Sequence, residues 1–129
     1  MLVVSINVFA QNSNDVSNTE TAEAMLSACR PIAKAPISGQ TVDVPDTADS
    51  GVCWGAFTVI QHQIRLVVKG SHLFLFNVCA PANSIRTQLI AAFVEYITHN
   101  PQRYSDDSVD VIFDALRDSF PCVEKAKQK

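Results

Sequence analysis

Cys53 and Trp54 stand side by side in the stretch GVCWGAFTVIQHQI, residues 51–64, and His62 follows nine positions after the cysteine. A thiol beside an aromatic ring, with an imidazole to take its proton, is the chemistry of a cysteine hydrolase. The spacing argues against it. In papain-type enzymes the histidine arrives roughly 130–150 residues downstream of the nucleophile, whereas the whole chain has 129 residues. If the stretch is helical, His62 lies about 13 Å along the axis from Cys53, beyond hydrogen-bond reach. No glycine-rich turn or neighbouring carboxylate exposes the sulfur, so we expect no catalytic residue here.

Metal chemistry fares no better. His62, His72 and His99 show no HxxxH spacing, and Cys29, Cys53, Cys79 and Cys122 show no CxxC; a zinc site is not expected. Among the carboxylates, Asp110, Asp114 and Asp118 recur at every fourth position, the pattern of a solvated helix face, and Asp106-Asp107 stand at a helix start, where the dipole favours them. No phosphate-cradling glycine loop, G-x-S-x-G elbow or aromatic–basic platform is present. The sequence predicts no enzyme and no cofactor.

The elements that hold these residues are four amphipathic helices. Thr19 or Thr21 caps the first, with Ala22, Met25, Leu26 and Cys29 on one face and Pro31 and Pro36 as its stop. An acidic, Pro- and Gly-rich loop, residues 36–51, leads to the second, capped by Asp49 or Ser50. Its stripe is Cys53, Ala56, Phe57, Ile60, Ile64, Val67 and Val68, and Gly70 ends it. HLFLFNVCAPAN, residues 72–83, is a short extended connection or a helical turn. Ser84 caps the third helix, whose inward face is Ile85, Leu89, Ala92, Phe93 and Tyr96, closed by Asn100-Pro101. Ser105, Asp106 and Asp107 open the fourth, with Val109, Ile112, Phe113, Leu116 and Phe120 inward and Asp110, Asp114, Arg117 and Asp118 in water. The fold class predicted is all-α, a small bundle of about four helices.

The first residues carry a second signal. MLVVSINVFAQ is apolar, of the length of a signal-peptide core, and Val8-Phe9-Ala10 ends in a small residue, although no basic segment precedes it. We read residues 1–18 as a leader remnant and disordered start, the alternative being a buried first element. Residues 19–123 then form the domain and 124–129 a flexible tail carrying Lys125, Lys127 and Lys129. An even count of four cysteines with export signs favours two disulfides in an oxidising compartment. Up-and-down helices put Cys29 and Cys53 at one pole and Cys79 and Cys122 at the other, so the pairings Cys29–Cys53 and Cys79–Cys122 fit best.

Binding is the remaining role. A net charge of −3 offers no basic field for nucleic acid, and no later segment approaches the ~20 apolar residues of a membrane span. Leu73 to Phe76, LFLF, either lids the bundle or docks a partner. Tyr104 and Arg103 in the loop NPQRYSDD are residue types that anchor interfaces.

The block G-V-C-W-G-A-F at 51–57, Cys79 before a helix, N-P-Q-R at 100–103, D-S-F-P-C at 118–122 and the early Cys29 resemble the Rap/Tai family of immunity proteins, which protect bacteria from type VI secretion amidase effectors. The resemblance runs over roughly residues 20–122; Ala56-Phe57 departs from the Tyr-Ile-like pair often found there. It implies a helical, disulfide-bonded, periplasmic protein, often a homodimer, that occludes the cleft of a cognate peptidoglycan amidase and catalyses nothing. For the effector-binding element we expect the loop Pro101, Gln102, Arg103, Tyr104, Ser105, Asp106 and Asp107, helped by the exposed face of the third helix. Other readings are a periplasmic chaperone or stress protein and a saposin-like lipid binder.

Overall fold

The computed structural model describes residues 19–35, 37–38, 41–66 and 76–122. The leader reading, the tail, Pro36, Val67, Val68, Gly70 and Leu73–Leu75 lie outside the described residues. Helix α1 spans Ala22–Ala33, α2 Ala48–Ile64, α3 Arg86–His99 and α4 Ser108–Ser119, with a single 3₁₀ turn at Pro101–Arg103. Strands β1, Ile37–Ser38, and β2, Thr41–Val42, form a two-stranded antiparallel hairpin with Ile37 opposite Val42. The fold is the small all-α, disulfide-stapled bundle expected, with a hairpin in what the composition marks as loop.

Helices α1 and α3 form the central pair, and each packs against both α2 and α4. Their shared core is apolar and closed: Ile32, Phe57, Val78, Leu89, Ile90, Phe93, Ile97, Val111, Ile112 and Leu116 are buried. Phe57 of α2 and Phe93 of α3 meet with ring centroids 6.0 Å apart and planes inclined at 47°, the tilted geometry aromatic quadrupoles favour.

Both disulfides have the expected partners. Cys29 and Cys53, each fully buried, bridge α1 to α2 at a Cα separation of 5.3 Å. Cys79 and Cys122 join the segment before α3 to the chain after α4 at 5.0 Å. Beside the second bridge, Val78 pairs with Pro121, and the Cys79 N–H donates to the Phe120 carbonyl at 2.9 Å. Where it is described, the 72–83 connection has no helix: Val78 forms an isolated bridge between turns at Phe76 and at Ala82-Asn83, and Asn77 has φ of 56°, a left-handed conformation that Asn tolerates.

Several boundaries differ from expectation. Pro31 does not stop α1 but lies inside it, exposed, and the helix runs two residues further, at the cost of the one backbone bond that a proline cannot donate. Helix α2 starts at Thr47, whose hydroxyl accepts from the Ser50 N–H at 3.1 Å, so Thr47 and neither Asp49 nor Ser50 is the cap. It ends at Ile64, short of Gly70. Ser84 does not cap α3: the N-cap is Ile85, and the Gln88 carboxamide oxygen accepts the Ile85 N–H at 3.0 Å. That shifts the inward face of α3. Ile85 is exposed, while Thr87, Ile90 and Ile97 are buried beside Leu89 and Phe93. Likewise Val109 of α4 is exposed, and Val111 and Ala115 take core positions.

Candidate protein-binding loop and a cationic cleft

The loop expected to meet a partner is a built element. After α3, Asn100 donates from Nδ2 to the Tyr96 carbonyl at 2.7 Å, and Pro101 begins the 3₁₀ turn, where its missing N–H costs nothing. Asp107 ends the loop as the N-cap of α4, its Oδ1 accepting from Val109 and Asp110 at 2.9 and 3.2 Å. The loop also completes the start of α1. The Ala22 N–H donates to the Asp106 carbonyl at 2.9 Å and Glu23 to that of Tyr104 at 3.0 Å. In return, the Ser108 N–H donates to the Glu20 carbonyl at 2.7 Å. Helix N–H groups that would otherwise be orphaned thus fasten residues 104–108 against the bundle.

Arg103 is the hub of this arrangement. Its Nε donates to Asp106 Oδ2 at 2.9 Å, and Nη1 donates both to the Tyr96 hydroxyl at 3.1 Å and to Asp114 Oδ2 at 2.5 Å. The other Asp114 oxygen accepts from Arg117 Nη2 at 2.6 Å, and Arg117 reaches on to the Phe76 carbonyl at 3.3 Å. Phe76, the described member of LFLF, stacks on Phe113 with centroids 4.8 Å apart. Hydrogen bonds from Arg117, joined by Arg103 and opposed by partial burial, hold the Asp114 carboxyl below the ordinary carboxylate range. The same charge-assisted bonds, that to Asp106 foremost, push the Arg103 guanidinium further up. Asp114 and Arg117, expected on a solvated face, are instead paired.

The expected loop residues therefore divide. Arg103 and Tyr104 are half-buried, Tyr104 packed against the core and Arg103 committed to its ion pairs. Pro101, Gln102, Ser105, Asp106 and Asp107 are exposed.

A second region went unread in the sequence. Trp54, half-buried, lies under the Arg86 guanidinium, whose carbon sits 4.7 Å from the ring centroid. Arg86 Nη2 donates to Gln61 Oε1 at 3.1 Å, and Gln61 Nε2 and Arg65 Nη2 both donate to the Ser84 carbonyl at 3.3 Å. Trp54, Gln61 and Arg65 recur at i, i+7 and i+11, one stripe of α2, so the signal was present; their α3 partner Arg86 carried none. Among the described residues no group of three or more His, Cys, Asp or Glu could hold a metal ion, and no helix is long and apolar enough to cross a membrane.

Two disulfides, one buried and one partly exposed, in a four-helix bundle whose core is apolar point to an extracytoplasmic, covalently stapled helical domain. The Rap1a immunity protein family matches residues 21–122, most of the chain, and the protein belongs to that family. Family membership makes it an immunity protein directed against a secreted effector, a role exercised by binding. No curated protein and no solved structure gives a significant match.

Proposed function

We propose that the protein is a periplasmic immunity protein that binds a cognate type VI secretion peptidoglycan amidase and occludes its active site, so that the producing cell escapes its own effector. The observation that carries this reading is the family match over residues 21–122. The loop at 101–107 supports it: an exposed rim of Pro101, Gln102, Ser105, Asp106 and Asp107 stands on a backbone already fixed to α1 and α4. A loop ordered before binding loses little conformational entropy on docking, which favours tight inhibition.

The reading includes a homodimer. On the outer face of α2, Ala48, Gly51, Val52, Gly55 and Val59 are exposed together, and Val52 and Val59 are the large apolar members. Such a face suits close helix packing against a second copy. The test is reconstitution: the purified protein mixed with its cognate amidase abolishes peptidoglycan cleavage at equimolar ratio. Full amidase activity in excess inhibitor would end the proposal.

A further inference from the structure

We propose that the cleft between α2 and the start of α3 is a carboxylate-binding site, built to take a carboxylate carried on a short apolar stem. The cleft has a volume of about 510 Å³, and its lining includes Val42, Trp54, Gln61, Arg65, Arg86 and Thr87. Three observations converge on an anion with oxygen acceptors.

Two arginines line the cleft, and no counter-charge pairs with either among the described residues. Arg65 and Arg86 are linked through Gln61 and the Ser84 carbonyl, and among the described residues neither makes an ion pair. Two cations lining one cleft create a positive field that favours an anion there. Trp54 holds the Arg86 guanidinium in place from one face, which fixes where its donors point.

Two buried polar atoms are left unpaired at the same spot. Arg86 Nε and Thr87 Oγ1 are the side-chain atoms, among the described residues, that are buried without a hydrogen-bond partner, and Thr87 is only 8% exposed. Buried polar groups are almost always satisfied, so a pair of orphans on adjacent residues lining one cleft points to an absent acceptor. A carboxylate oxygen supplies one for each.

The backbone adds to the same field. Helix α3 has 14 residues, and its N-cap, Ile85, has no side-chain oxygen to accept from the first turn. The first turn of α3 lines the cleft, so the positive end of the helix adds to the field there. Trp54, Val42 and Ile85 supply the apolar wall for the stem. A carboxylate of this kind comes either from a free small acid or from an acidic side chain of a bound protein.

Trp54 is the single tryptophan of the chain, so its emission reports on the cleft directly. Sodium butyrate is titrated against neutral butyramide and sodium chloride at constant ionic strength, with amide spectra of Arg86 and Thr87 followed in parallel. Butyrate alone gives a saturable change in the millimolar range. Arg86→Gln weakens it about tenfold or more, as loss of a charge-assisted bond should. Thr87→Val, which keeps the side-chain shape, weakens it by a smaller factor, as does Arg65→Gln, so the test stands even if Arg86→Gln fails to fold. No saturation, or an equal response to butyramide or chloride, overturns the site. A second arm, which alone rests on the immunity reading, measures amidase inhibition by the same variants. Loss of both butyrate binding and inhibition assigns the carboxylate to the partner protein; loss of butyrate binding alone assigns it to a free acid.

Discussion

Arg103 in the α3–α4 loop donates from Nη1 to Asp114 Oδ2 at 2.5 Å, and this bond ties the loop expected to face a partner to the body of α4. Arg103 also holds Asp106 and the Tyr96 hydroxyl, so one side chain sets the shape of the loop from inside. The pair is three-quarters covered on the arginine side, with relative exposures of 24% and 36%. A partly covered, multiply bonded pair exceeds the usual surface salt bridge. A double-mutant cycle of Arg103→Gln and Asp114→Asn, read from urea unfolding, is expected to give a coupling of about 1 kcal/mol. Additive effects would show that the two side chains stabilise the fold independently.

The same carboxylate gives stability an acid limb. Because bonds from Arg117 and Arg103 hold the folded Asp114 below its ordinary value, its stabilising share is complete above the unfolded carboxylate pKa of ~3.9 and fades as pH falls through the folded value. The urea midpoint of the parent should exceed that of Asp114→Asn at pH 7 and converge on it as the pH drops toward 2. A constant gap across that range would mean the asparagine acts through packing and not through charge.

How much of this was legible in the sequence depends on what each signal reads. Amphipathic period and cap chemistry found four helices, because Leu26, Phe57, Phe93 and Leu116 each repeat with their neighbours at helical spacing. The cysteine pairing followed from helix order alone. Facial detail failed where apolar residues are numerous: α3 offers Ile85, Leu89, Ile90, Phe93 and Ile97, and periodicity alone does not say which stripe faces α1. The Arg103 network was invisible because it joins residues 96, 103, 106, 114 and 117, whose meeting depends on the loop between two helices. The Trp54–Arg86 contact crosses from α2 to α3 and so lay beyond any local pattern.

The disulfides allow a quantitative expectation. The bridges close segments with sequence separations of 24 and 43 residues. Loop-closure entropy then values them at about 3.5 and about 4 kcal/mol. Thiol titration of the denatured, unreduced protein should find almost no free thiol. The double variant Cys79→Ala/Cys122→Ala should lose roughly that ~4 kcal/mol in urea unfolding, and hydrogen exchange at the backbone amide of position 79 should speed up as its bond to the Phe120 carbonyl loosens. Intact stability after removing both cysteines would show that Val78, buried and bridged to Pro121, holds the two segments together by itself.

The outer face of α2 separates self-association from stability. A Cβ added at Gly51 or Gly55 would meet nothing within 4 Å, so Gly55→Ala removes only the entropic cost of a helical glycine. It should stabilise the isolated chain by about 0.5–1 kcal/mol. Val59, 59% exposed, can likewise become glutamate without disturbing the core. If a second copy packs on this face, Gly55→Arg and Val59→Glu lower the molar mass measured by light scattering from dimer to monomer while circular dichroism stays unchanged. A parent protein that is monomeric at high concentration would remove the homodimer and leave the face to another partner.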